Sequence, residues 1–227
     1  MPDASTYRFG GAALIVGPSV AFVFIFLQPG VLLIDRVDST DAIAFIGALS
    51  SRPTLSNLTA IAITLGFLLN AYGTWVLSSV LRMSGPAAGG ALSLIAFFLL
   101  LFGMMGAGLA QGLTITLAGV ENDPAAIAAA MPVYSVKAGI TLICGVVVSL
   151  GYVLLAGVVA VRDDFNKAIS ILALLGSAVC LTGYVLTILN PEDDRFFLDM
   201  ARLSYIVLVV WPIVLGINLI RRSGRAG

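Results

Sequence analysis

Histidine is absent from all 227 residues, which removes the usual axial ligand of haem and the commonest side-chain ligand of zinc and copper. Most metal-centred chemistry goes with it, and no metal or cofactor is expected. Cysteine is nearly absent too. Cys144 and Cys180 both sit deep inside apolar runs, where a thiol behaves as a small hydrophobe rather than as part of a disulfide framework. Charge is scarce, at 11% of residues where a soluble domain carries about 25%. The 12 basic and 12 acidic residues cancel, so no general attraction to nucleic acid follows. Recognisable catalytic loops are missing as well: there is no GxSxG, Walker A, HExxH, CxxC or dinucleotide-binding glycine pattern. A serine or cysteine nucleophile needs a base within reach, and without histidine only Lys137 and the loop acids remain. The chain is therefore expected to be non-enzymatic.

What the chain has in quantity is apolar length. Hydrophobic residues make up 59% of it, and the 38 positions from Met83 to Val120 hold no charge at all. A bilayer-spanning helix needs about 20 mostly apolar residues. The runs predict an all-α polytopic membrane helix bundle, one transmembrane domain over residues 1–227 with six crossings at about 11–34, 55–81, 86–119, 132–161, 168–189 and 199–220. The first run exceeds the length of a signal-peptide core and lacks a small-x-small cleavage site, so it is expected to be retained. Pro18 and the Gln28-Pro29-Gly30 sequence predict a kink or an unwound last turn near Gln28. Between the first two crossings, Asp41 can start a short surface helix whose apolar face is Ala42, Ile43, Phe45, Ile46 and Leu49, with an ordinary loop as the alternative. The alanine-rich piece from Ala125 to Met131 can add another short helix.

Six crossings put both termini on one side. That side carries Arg8, Arg82, Arg162, Lys167, Arg221, Arg222 and Arg225, seven basic residues against five opposite. The positive-inside rule makes it cytoplasmic. The opposite side holds nine of the acids.

The candidate site follows from that orientation. Every Asp and Glu falls in a loop or at a helix end, so a proton relay through the membrane is not expected. Gln28, Gln111, Tyr134, Lys137, Tyr184, Asn190, Arg202 and Tyr205 all come from the outer third of their helices. They either converge on a shallow outward-facing ligand pocket or mark the polar interface, where lysine snorkels and tyrosine belongs to the aromatic belt. Asn70, Thr74 and Ser78 recur every four residues in the second crossing, which puts them on one helical face. They serve either as interhelical hydrogen-bond partners or as a ligand or ion site. Lys137 lies close enough to the start of its helix for its stem to reach hydration, so a snorkelling arrangement is expected. In the third crossing, Gly103, Gly108 and Gly112 are candidates for close helix packing, the last two in GxxxG spacing.

The stretch from Asp41-Ala42-Ile43-Ala44-Phe45 to Arg52-Pro53-Thr54, followed by Leu58 through Arg82, resembles the loop and second helix of small bacterial multi-pass integral membrane proteins of unknown function. The resemblance is one of layout over the whole chain. It implies the cell membrane, in particular the bacterial inner membrane, and supplies no functional residues. The expected function is that of a non-catalytic accessory or scaffold subunit, or a binder of lipid or hydrophobic small molecules. Its expected partners are membrane lipids or another membrane subunit, and no nucleic acid. A small transporter or channel using the outer polar cluster is the alternative, and a lipid-modifying membrane enzyme a third.

Overall fold

The computed structural model describes residues 4–38, 41–83, 87–162, 165–190 and 194–224. Among these, helix is the only regular secondary structure, with six helices long and apolar enough to cross a membrane. They are α1 (Ala4–Leu27), α3 (Pro53–Met83), α4 (Ala87–Ala118), α6 (Met131–Ala160), α7 (Lys167–Leu189) and α8 (Asp194–Ser223). Two short helices, α2 (Ala42–Ser51) and α5 (Pro124–Ala129), sit between them. Each spanning helix packs on the one before it, and α8 returns to α1, so the six close into a ring. With no hydrophobic drive between helices in lipid, such a ring depends on close packing and interhelical hydrogen bonds.

The first crossing is shifted from its expected position. It begins at Ala4 and ends at Leu27, rather than covering 11–34, because Gln28-Pro29-Gly30 ends the helix. Gly30 takes φ +84°, which suits glycine. The chain then loops back on itself, with Leu33 N–H donating to the Phe26 carbonyl at 3.1 Å and Gly30 N–H to that of Ile34 at 2.9 Å. The sixth crossing starts earlier than 199: α8 begins at Asp194, and Phe196, Phe197 and Leu198 extend its apolar run past Asp199. Both short helices are present. Asp41 caps α2 by accepting from Ala44 N–H at 2.9 Å, and Asp123 caps α5 by accepting from Ala125 and Ala126.

The start of α1 and the end of α8 meet at one end. Arg8 Nε donates to Ser223 Oγ at 3.3 Å, tying the start of α1 to the end of α8. At the same end Arg162 donates to the Leu81 carbonyl at 3.0 Å, and the Arg222 guanidinium lies over the Phe165 ring, 4.5 Å from its centroid.

The opposite end is stepped. Gly145 of α6 faces the Tyr184 ring of α7, and α7 ends five residues later at Leu189. Counting along antiparallel helices puts that end level with about residue 140 of α6, so about nine residues, or roughly 13 Å, of α6 stand beyond α7. This projecting end carries its own small core, in which Phe45, Ile46 and Leu49 of α2 pack on Leu117, Ala118, Ile127 and Ala130. A larger core fills the ring below it, centred on residues such as Leu14, Leu77, Leu100, Leu155 and Trp211.

The glycine contacts correct one expectation. A Cβ on Gly103 would lie 2.5 Å from a Val148 methyl, so this glycine does face α6; one on Gly108 would meet only the Thr64 methyl, at 3.3 Å, and one on Gly112 would meet nothing. Gly112 therefore makes no close helix contact: it shares the outward row of α4 with the exposed Phe102, Met105 and Leu109. The closest approaches are elsewhere. Gly10 and Gly17 of α1 run against Gly73 and Gly66 of α3 at matching seven-residue spacing, and Gly11 meets Gly216 of α8. A Cβ on Gly17 would sit 2.5 Å from the backbone nitrogen of Asn70, and one on Gly66 would sit 2.7 Å from the Gly17 carbonyl oxygen.

Candidate functional site

Polar side chains within the bundle fall into local sets at two levels. At the stepped end, Gln28 leaves α1 where the helix unwinds and is 3% exposed. Its Nε2 donates to Gln111 Oε1 at 2.9 Å. The two helices that carry them are separated by α3 in the ring, so the pair bridges across its inner side. Burying two amides together satisfies one bond of each, where a lone amide in hydrocarbon would go unpaired.

Lys137 is half-buried, with its ammonium 4.7 Å from the centroid of the Phe45 ring. Phe45 in turn packs on Tyr134, one turn before Lys137, with centroids 5.6 Å apart. The lysine therefore has an aromatic partner on α2, which a reading of its own helix does not disclose. A cation over an aromatic face is worth about 0.5–1 kcal/mol when exposed and about 2 when desolvated. Thr141, one turn further along, is exposed, although it lies within about 20° of Tyr152 on an ideal helix and so shares the face that Tyr152 turns inward.

Tyr184 and Tyr205 meet edge to face, and the Tyr184 hydroxyl donates to Tyr205 Oη at 3.1 Å. Tyr184 is 5% exposed and its ring lies on Gly145, so the tyrosine occupies a cradle that any side chain at 145 would fill. Asn190 and Arg202 stand apart from these pairs. Asn190 N–H closes the last turn of α7 on the Leu186 carbonyl, and Arg202 pairs with Asp199 at 3.2 Å in an exposed i,i+3 contact.

Deeper in the ring lies a transverse layer. Asn70 Nδ2 donates to Tyr152 Oη at 2.8 Å, and Tyr152 meets Trp211 edge to face with centroids 6.1 Å apart. Trp211 Nε1–H reaches Ser170 Oγ at 3.5 Å. With Gly17 pressed against the Asn70 backbone, the layer joins α1, α3, α6, α7 and α8. Its members are nearly inaccessible, at 4% for Asn70 and Tyr152 and 1% for Trp211. Thr74 and Ser78 share the buried face of α3: Thr74 bonds back to the Asn70 carbonyl, and Ser78 Oγ reaches the Ser93 carbonyl of α4 at 3.0 Å.

The structure thus brings Gln28 to Gln111 and Tyr184 to Tyr205, gives Asn70 to Tyr152 and gives Lys137 to Phe45. Tyr152, Trp211 and Ser170 carry no signal in the sequence, and Phe45 is marked there only as part of the apolar face of α2. Inside an apolar run an aromatic residue carries no mark of its own, and only their positions relative to other helices distinguish them. Among the described residues no group of three or more His, Cys, Asp or Glu is placed to hold a metal ion. The fold and these polar sets define a six-helix bundle of the kind that crosses a membrane. No family model, curated protein or solved structure matches this chain.

Proposed function

We propose that the protein is a non-catalytic integral membrane protein that binds a phospholipid, through its phosphate and glycerol region, at the stepped end of the bundle. The observation that supports this reading most is the placement of Lys137 where α7 has ended and α6 continues, with Thr141 about level with the last turn of α7. A half-buried cation at the depth where hydrocarbon gives way to headgroups suits a phosphate; the Thr141 hydroxyl beside it donates to the Lys137 carbonyl at 2.8 Å, so the ammonium is the group that would hold the phosphate. Tyr134 and Phe45 form an apolar wall for the start of an acyl chain. The spanning segments offer little else in the way of chemistry.

The orientation belongs to the same proposal: both termini are cytoplasmic, the stepped end faces outward, and the membrane is the bacterial inner membrane. The basic residues clustered where Arg8 meets Ser223 support it. Asn122→Cys, at an exposed position between α4 and α5, is expected to react with an impermeant thiol reagent in intact cells. Reaction only after permeabilisation overturns the orientation.

Binding is tested by purifying the protein in mild detergent and measuring retained phospholipid by mass spectrometry. The wild type is expected to keep a stoichiometric phospholipid, and Lys137→Met to lose most of it while its unfolding temperature falls by only about 2–4 °C, as loss of a contact of about 1 kcal/mol would give. Full retention by Lys137→Met contradicts the site. Docking of another subunit on residues 103–112 has less support, because the outward row of α4 is made of large side chains, Phe98, Phe102, Met105 and Leu109.

A further inference from the structure

The Asn70–Tyr152 pair is incomplete. Asn70 has 17 helical residues of α3 before it and 13 after it, so it stands near the middle of a spanning helix, about 20 Å or more from either end. Its side chain is 4% exposed. The amide nitrogen donates to Tyr152 Oη at 2.8 Å, but its Oδ1 is buried with no hydrogen-bond partner among the described residues. Tyr152 Oη accepts that bond, and its own proton has no acceptor among the described residues. One spare acceptor and one spare donor therefore lie on two bonded side chains in the driest part of the molecule. Buried polar groups in folded proteins are nearly always paired, and in hydrocarbon the cost of leaving one unpaired is greater still.

The pair is also held where it is. Gly17 presses on the Asn70 backbone, Thr74 bonds the Asn70 carbonyl, and Trp211 packs against the Tyr152 ring. These contacts fix the Asn70 backbone and the Tyr152 ring. We propose that Asn70 and Tyr152 form a binding site for a single hydroxyl group, which accepts from the Tyr152 O–H and donates to Asn70 Oδ1. A hydroxyl completes the pair whichever way the amide is turned: with the amide reversed, Tyr152 donates to Oδ1 and the hydroxyl accepts from Nδ2–H. A lone cation satisfies only one arrangement, and an apolar atom neither. The hydroxyl belongs to a buried water or to the alcohol head of an amphiphile. This site is independent of lipid binding at the stepped end, since it lies on other residues and at another depth.

The test is thermal unfolding of the full chain in detergent, comparing wild type with the double variant Asn70→Leu/Tyr152→Phe. If a hydroxyl completes the pair, the double variant loses three hydrogen bonds, and its unfolding temperature is expected to fall by about 4–8 °C. If the pair stands alone, the variant removes one bond and two unsatisfied groups together. An unchanged or raised unfolding temperature therefore overturns the site. Should the double variant not fold, a crystal structure of the wild type decides: density within hydrogen-bonding distance of both Asn70 Oδ1 and Tyr152 Oη supports the site, and its absence overturns it. The source is read from delipidated protein. A wild-type advantage that survives delipidation identifies water, whereas one that is lost and returns on adding 1-decanol identifies an amphiphile's hydroxyl.

Discussion

The seams around α1 and those around α6 both rely on glycine, but in different ways. At α1 the missing Cβ mostly makes room for backbone, although Gly10 faces the Val76 side chain and Gly73 also meets the Leu14 side chain. A Cβ on Gly73 would lie 2.8 Å from the Leu14 nitrogen and 2.9 Å from the Gly10 carbonyl oxygen, and one on Gly216 would lie 2.5 Å from the Gly11 carbonyl oxygen. At α6 it mostly makes room for side chains: Gly106 receives Cys144 Sγ, Gly145 the Tyr184 ring, and Gly151 a Leu100 side chain. Backbone cannot adopt another rotamer, while a side chain can turn or be shortened. The α1 seams therefore set the helix spacing, and the α6 seams adjust to it. Asn70 lies between the two systems, its backbone against Gly17 of α1 and its side chain on Tyr152 of α6.

Gly17→Ala has the largest expected effect. Its methyl would meet the Asn70 backbone, and no truncation of the Asn70 side chain relieves that. Overpacking typically costs about 1–3 kcal/mol and occasionally more, which for a chain of this size lowers the unfolding temperature by about 2–12 °C, with the backbone contact placing Gly17→Ala in the upper part of that range. Thermal unfolding in detergent reads it, and an unchanged midpoint would remove the distinction between the seams. Gly106→Ala is expected to cost less and, unlike Gly17→Ala, to be rescued by a second change, since Cys144→Ala removes the sulfur that the new methyl would strike. Failure of that double variant to recover would show that backbone also limits the α6 seam. Gly112→Leu is expected to change the midpoint by less than about 1 °C, because the position is open. A marked loss of stability there would mean that another chain covers this face of α4.

Much of the fold was legible because a membrane leaves few choices. Uncharged runs of sufficient length must be helices, and five of the six spans lie where the runs predict them, apart from a few residues at their ends. The ends moved where composition is a poor guide. The apolar residues Val31 to Ile34 look like membrane helix, yet Pro29 and Gly30 have already turned the chain. The partner of each glycine was not legible. GxxxG in α4 is a pattern within one helix, whereas the seven-residue spacing of Gly10 with Gly17 and of Gly66 with Gly73 gains meaning only when the two helices lie antiparallel. Within the candidate site, shared depth could suggest Gln28 with Gln111 and Tyr184 with Tyr205. Nothing in the order of residues links Asn70 to Tyr152, which are 82 positions apart, or Lys137 to a ring on α2.

The glycine seams and the buried polar layer depend on the single chain closing into a ring, with α8 returning to α1. Cysteines at Arg8 and Ser223, in a background where Cys144 and Cys180 are alanine, test that closure directly when treated in membranes with a short bifunctional thiol-reactive cross-linker such as a bis-maleimide. The Arg8–Ser223 contact at 3.3 Å predicts a link within one molecule in most of the protein, seen as a cross-linked peptide joining the two ends without a change in oligomer size. Links only between molecules, or none, would contradict the ring.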